Sequence, residues 1–383
     1  MKLLVLSELF LPTKGGTAVW AAEVYKRLGG KDIHIVTADV PGAREVDAAH
    51  PNTIHRLNLK RVAWLRPESL AMYVRFLFRS LALALRHRPR AVHAFRALPE
   101  GAVAWSVARL TFRPVVVYAH GEELTTWGRG RKFRTMQFVL RHADRVIANS
   151  EHTCETLLGM GVDPGRISIV YPGVDTHVFQ RGLDARDLRQ SLNIGGAEKL
   201  VFSVGRLSRR KGFDQAIRAV VALRGEGVPV RYVIAGIGED ADYLDALIQE
   251  HQATEYVHRI GAVSEHDLPR WMNACDVFAM PNREIDGDNE GFGMVFIEAA
   301  ACGKPSLAGQ AGGTGSAVLH DETGLRVNGN DIEAVTAGLR TLLTQPERAI
   351  ALGEAGWARV QSRFAWAKVA EATQRVITIR GVE

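Results

Sequence analysis

Cysteine is scarce in this chain. Three residues of 383, Cys154, Cys275 and Cys302, are odd in number and far apart. That usage excludes a disulfide framework and matches no paired-cysteine metal or redox spacing, so the three read as small buried hydrophobes in a reducing compartment. Long hydrophobic runs are also lacking, and no stretch reaches the roughly 18 apolar residues of a membrane span. The opening run "MKLLVLSELFLP" is interrupted by Ser7 and Glu8, with no small-residue cleavage pattern after it. It reads as a buried first strand rather than a leader. A cytoplasmic protein is expected, at the inner face of the membrane where it touches one. There is no internal repeat, low-complexity tract or Walker-type phosphate loop, which sets aside solenoids, disordered chains and P-loop enzymes.

What is present describes a globular protein of two domains: 46% hydrophobic residues, 23% charged, over 383 positions. The net charge of +6 conceals an asymmetry. Between Arg56 and Arg145 there are 18 Lys and Arg against 5 Asp and Glu, a local balance of +13, so the rest of the chain carries −7. A basic first half suits an anionic surface or substrate.

Short β-rich runs alternate with helical patterns throughout. "KLLVLS", "IHIVTA", "AVHAF", "PVVVYAH", "RVIANS" and "ISIVYPG" come first. "LVFSVGRL", "VRYVIAG", "YVHRIG" and "DVFAMP" follow after a restart near Leu200. Continuous Val/Ile/Leu runs are the mark of parallel strands buried on both faces, and the intervening helices imply βαβ units. The expected division is a first domain over 1–175, a linker over 176–196, a second domain over 197–362, and a terminal helical segment, 363–383, packing back on the first domain. "PESLAMYVRFLFRSLALALRHRPR" reads as a sheet-covering helix with a basic outer side or as a helix that also touches an anionic membrane. "WGRGRKFR", from Trp127 to Arg134, reads as a basic loop.

Four turns carry chemistry. Gly15 and Gly16 stand between the first strand and a helix, where backbone N–H groups can meet phosphate or where glycine serves geometry alone. "SVGRLSRRKGF" places Arg206 and Lys211 around a strand-to-helix turn, with Arg209 and Arg210 between them, a setting for a diphosphate or a solvated basic turn. "VIAGIGEDA" puts Gly236 and Gly238 at a strand end but has Ala241 where a dinucleotide fingerprint needs its third glycine. "EGFGMVFIEAAACGKP" puts Glu290 in a Gly-flanked loop and Glu298 on a helix expected over Met294 to Ala301. Carboxylates there suit sugar and ribose hydroxyls, or a favourable helix dipole and an exposed helix position. Asp286-Gly287-Asp288 superficially resembles an Asp-x-Asp metal motif; an acidic loop beside the pocket is the preferred reading.

Together with "AGIGED" and the downstream "GGTGSAVLHDETGLRV", these turns resemble the retaining nucleotide-sugar glycosyltransferases of family 4, and within it the phosphatidylinositol mannosyltransferases. The resemblance spans essentially the whole chain. It implies an α/β GT-B fold: two Rossmann-like, doubly wound parallel-sheet domains facing across a cleft. It also implies transfer of a hexosyl unit from a GDP- or UDP-sugar to a lipid-linked or envelope-glycan acceptor. The anomeric configuration would be retained, with no cofactor, no metal and no nucleic-acid partner, and with peripheral contact to an anionic membrane.

By the same resemblance, Arg206 and Lys211 neutralise the donor diphosphate with help from Gly15 and Gly16, and Glu298 binds the ribose. The backbone at Val263 holds the base, near the Gly236 turn. Glu290 grips the sugar beside the N–H groups of Phe292, Gly293 and Met294. His120, in "YAHGEE", faces the sugar near the reacting carbon. A sugar-nucleotide epimerase or hydrolase of the same fold, and a non-catalytic protein binding anionic surfaces, are the rival readings.

Overall fold

The computed structural model describes residues 1–13, 15–59, 68–126 and 130–378. The chain divides into two compact units. One comprises residues 1–172 with the C-terminal segment from Trp366, the other Gly173–Ala365.

Among the described residues the first unit holds seven strands: β1 Leu3–Leu6, β2 Ile33–Ala38, β3 Thr53–Leu57, β4 Ala91–Ala94, β5 Val115–Ala119, β6 Arg145–Ala148 and β7 Ile167–Ile169. They lie in the order β3-β2-β1-β4-β5-β6-β7, and every pairing is parallel. The central strands are buried throughout, as "LLVL" in β1 and "VVVYA" in β5 require of a sheet covered on both faces. The terminal helix Trp366–Thr378 belongs to this unit. Its buried positions, Trp366, Val369, Ala370, Thr373, Val376 and Ile377, recur at helical spacing and pack it against the helix Gly16–Leu28.

The second unit holds six: β8 Lys199–Val204, β9 Val230–Ala235, β10 Val257–Arg259, β11 Val277–Met280, β12 Ser306–Gly309 and β13 Leu325–Val327. Their order is β10-β9-β8-β11-β12-β13, again all parallel. The two sheets are Rossmann-like and doubly wound. Each reverses its strand order once, between β1 and β4 and between β8 and β11, and such a reversal opens a crevice outside the carboxyl ends of the strands.

The polar stretch 176–196 lies in the second unit. Its helix Arg186–Ser191 is tied down by Arg189, whose guanidinium donates to the carbonyls of Ala274 at 2.9 Å and Glu198 at 2.6 Å. Three strands have no counterpart among the expected runs. β3 is an edge strand of mixed polarity, "TIHRL"; β12 is built of small residues, "SLAG"; β13 has three residues at an edge. The basic loop expected from Trp127 to Arg134 has its first half, including Trp127 and Arg129, outside the described residues. Arg131 to Arg134 form the first turn of a helix, Arg131–His142, and are not a loop. Among the described residues no helix is long and apolar enough to cross a membrane.

Candidate functional site

In the second unit the loops after β8 and β11 flank the strand-order reversal and meet through charge. The one-turn helix Arg209–Lys211 follows β8 and turns two cations toward the β11 loop. Lys211 Nζ pairs with Glu290 Oε2, and Arg210 reaches the same oxygen at 3.1 Å. Arg210 also holds Asp288 at 3.0 Å. Burial works against ionisation of Glu290, but Lys211 and Arg210 outweigh it and keep its carboxyl below the usual range. Its Oε1 has no partner among the described residues and remains an open acceptor.

The backbone of Glu290 is seated by the "GGTG" turn. Gly313 N–H donates to the Glu290 carbonyl at 2.6 Å. Gly293 then starts the helix Met294–Ala301 with φ +87°, and a Cβ there would meet the Phe296 ring at 2.6 Å, so glycine is required on both counts. The N–H groups of Gly293 and Met294 donate to no backbone group among the described residues, leaving a helix N-terminus ready for an anion. Phe292 is buried edge-on to Phe364, so its side chain serves packing.

Glu298 lies on this helix just beyond its first turn. Its Oε2 is buried and has no hydrogen-bond partner among the described residues, and burial pushes its carboxyl up to about 7. A buried carboxylate oxygen without a donor marks Glu298 as a candidate binding position. Arg206 is exposed and makes no ion pair or side-chain hydrogen bond among the described residues. The cation engaged with Glu290 beside Lys211 is Arg210, which the sequence placed between the two expected ligands without a role. All four cations of "RLSRRK" look alike in sequence; the single helical turn decides which face the β11 loop.

Gly236 has φ +139°, and a Cβ there would overlap the carbonyl oxygen of Gly205. It lets the β8 and β9 loops pack together, and its N–H donates to the Gly261 carbonyl at 2.7 Å. Beyond that turn, Val263 is half-buried and its backbone N–H and carbonyl make no hydrogen bond among the described residues. Asp286-Gly287-Asp288 is a tight reversal, bridged from Ile285 to Asp288, and Asp288 is occupied by Arg210. Among the described residues no group of three or more His, Cys, Asp or Glu could hold a metal ion.

The first unit has its own constellation. Gly15, at φ +133°, caps the helix that Gly16 begins. His120 follows β5. Its Nε2 lies 2.6 Å from the Phe95 carbonyl, which can only accept, so Nε2 carries the proton and Nδ1 is the free acceptor of the neutral ring. Burial pulls the His120 pKa down, more strongly than Glu123 and the Phe95 carbonyl raise it. Trp20 packs edge-on against the ring, and Glu123 Oε1 accepts the His120 backbone N–H at 2.9 Å.

Two family models match the chain: Glycosyltransferase Family 4 over residues 14–178 and Glycosyl transferases group 1 over residues 184–359. A GDP-mannose-dependent alpha-(1-6)-phosphatidylinositol monomannoside mannosyltransferase of Mycolicibacterium smegmatis is 30% identical over 93% of each chain. A D-inositol 3-phosphate glycosyltransferase of Mycobacterium marinum is 36% identical over 54% of this chain and 44% of its own. Among solved structures, Anabaena HepE in complex with UDP superposes with a TM-score of 0.83 at 20% identity, over 99% of this chain and 100% of that one. Sucrose-phosphate synthase of Thermosynechococcus elongatus superposes with 0.79 at 22% identity, over 98% of both. These superpositions establish the GT-B fold. Matched by relatives along nearly its whole length, the chain belongs to glycosyltransferase family 4.

Proposed function

We propose that the enzyme moves a hexosyl unit from a GDP- or UDP-sugar to a lipid-linked or envelope-glycan acceptor, with retention at the anomeric carbon. The observation that carries this is the state of Glu290. One carboxylate oxygen is fixed by Lys211 and Arg210, and the other is open at the start of a helix. An acceptor so fixed suits a sugar hydroxyl, and the cations and helix N–H groups beside it suit the attached diphosphate. Glu298, with its unpartnered oxygen, takes the ribose hydroxyls, and the free backbone of Val263 takes the base. Exposed Arg206 serves the diphosphate together with Lys211; for Gly15, Gly16 and His120, in the first unit, the roles implied by the resemblance are carried over as part of the proposal.

Sugar transfer builds positive charge on the anomeric carbon and negative charge on the departing diphosphate. Fixed cations and N–H dipoles stabilise the second most when it is fully developed, which is how they would lower the barrier. Front-face attack, with a phosphate oxygen taking the acceptor proton, needs no protein carboxylate as nucleophile. GDP-mannose, the donor named for the Mycolicibacterium smegmatis relative, is the first candidate. A thermal-shift panel of GDP- and UDP-sugars tests the reading. Donor at a hundred times its Kd adds about 2.7 kcal/mol of stability, and stabilisation by none of the panel would end the proposal.

Peripheral membrane contact is the second part of the proposal. The helix Leu70–His87 exposes Phe78 (66%) and Leu85 (62%), with Leu70 and Val74. Exposed Arg75, Arg79 and Arg86 lie among them, and Arg88 and Arg90 follow. Apolar side chains interleaved with arginine suit an anionic lipid surface.

A further inference from the structure

The first sheet reverses its order between β1 and β4, so its ligand crevice lies outside the carboxyl ends of those two strands. Glu8 stands just past β1 and Arg96 just past β4. Arg96 Nη2 donates to Glu8 Oε2 at 2.8 Å, and Arg96 Nε and Nη2 each reach Glu100 Oε1 at 3.2 Å. The Glu8 backbone N–H donates to that same Glu100 oxygen at 2.8 Å. Glu100 is fully buried, with no partner for its Oε2 among the described residues, and burial raises its pKa against the pull of Arg96. The glutamate is thus a buried strut that fixes both the guanidinium and the β1 loop.

Two atoms of the cluster are uncommitted. Glu8 Oε1 and Arg96 Nη1 make no hydrogen bond among the described residues, and the two side chains retain 28% and 21% exposure. An acceptor and a donor of one ion pair are therefore left uncommitted on the loops that follow β1 and β4.

We propose that this pair is a subsite for an uncharged vicinal diol of the acceptor. One hydroxyl donates to Glu8 Oε1 and its neighbour accepts from Arg96 Nη1, with Glu100 as the positioning residue. The proposal rests on the glycosyl-transfer reading and adds the chemistry of the acceptor end that reaches the sheet. A phosphate is the wrong ligand here. Among the described residues, Glu8, Glu100 and Glu123 surround the Arg96 guanidinium, and burial disfavours the charged form of His120, so an anion would meet like charge. Arg88 and Arg90, by contrast, precede β4 and stand at the opposite end of the sheet. Arg88 and Arg90 are therefore apart from the diol subsite, whereas Arg75 donates to the carbonyl of Asn58 just past the carboxyl end of β3.

The test is direct binding to the full chain, by ligand-observed NMR or calorimetry. The probes are methyl α-D-mannopyranoside and myo-inositol, each compared with a monophosphate of the same ring. We expect at least one neutral polyol to bind, with its phosphate no tighter. Glu8→Gln should weaken that binding about 10-fold or more, the loss of one charged hydrogen-bond acceptor, while donor-induced thermal shifts stay unchanged. No binding of either neutral polyol, phosphates tighter by about 10-fold, or an unaltered Kd in Glu8→Gln would overturn the proposal. Glu100→Gln should raise the acceptor KM and leave kcat and the donor KM in place, whereas a purely structural role would lower Tm with the kinetic constants intact. If that variant fails to fold, Glu8→Gln decides alone. Absence of any donor thermal shift in the unaltered enzyme would instead count against the donor reading, since the polyol measurement needs no donor.

Discussion

Removing the charge of Glu298 should make the ligand-free enzyme more stable while disabling it. The Glu298 carboxyl is pushed from an ordinary 4.5 to about 7 by burial, with Oε2 unpartnered. Between those two values the folded state keeps a proton that the unfolded chain has lost. Stability therefore falls as pH rises through this window, and the full penalty is in place above pH 7. A shift of that size corresponds to at most about 3 kcal/mol, reduced by the partial exposure of the residue. Glu298→Gln keeps the shape and has nothing to ionise. Denaturant unfolding of the apo protein at pH 5 and pH 8 should find the variant more stable than the parent by about 1–3 kcal/mol at pH 8, with the gap closing toward pH 5. The same substitution should abolish donor-induced stabilisation, because a diol donates to the ionised carboxylate. In the parent, donor affinity should rise with pH through about 7 for the same reason. Equal or lower stability of the variant at pH 8 would refute the argument that Glu298 is a desolvated carboxylate held ready for hydroxyl donors.

Other consequences are as concrete. Glu290→Gln should cut kcat/KM about 100-fold or more, since the sugar loses a fixed acceptor and Lys211 and Arg210 lose the group that positions them; initial-rate kinetics with the donor found by thermal shift would measure it. Gly236→Ala should cost about 2–4 kcal/mol, because a Cβ collides with the Gly205 carbonyl and the φ of +139° is unsuited to alanine; chemical denaturation reads this directly. Phe78→Glu should weaken binding to anionic phospholipid vesicles about 10-fold or more while leaving turnover of a short-chain, water-dispersed acceptor unchanged. Vesicle binding that ignores the substitution would remove the helix Leu70–His87 from the membrane proposal.

The sequence made the central strands easy to find because each is an uninterrupted apolar run such as "VVVYA". The three missed strands lie at or near sheet edges, where half-exposure and small residues erase that signal. The helix Met294–Ala301 was legible from its glycine start and alanine-rich run. The partner of Glu290 was not. "RLSRRK" contains four cations, and a 3-10 turn, not composition, presents Arg210 and Lys211 to the β11 loop. The unpartnered oxygen of Glu298 depends on what surrounds the helix, which no local pattern encodes. The Glu8–Arg96–Glu100 cluster was also out of reach, since Glu8 and Arg96 stand 88 residues apart and meet only because β1 and β4 are neighbours.

The helix Trp366–Thr378 closes the first unit although 193 residues of the second intervene. On a ribosome, the seven strands of the first sheet emerge early, while the apolar side of the helix Gly16–Leu28 that this segment covers stays bare until translation has passed Thr378. The second unit, encoded later, has all its strands before the first is sealed. Domains made as one continuous stretch mature in the order of their synthesis; here the order of completion is inverted, and the last-made helix gives the first-made sheet its cover.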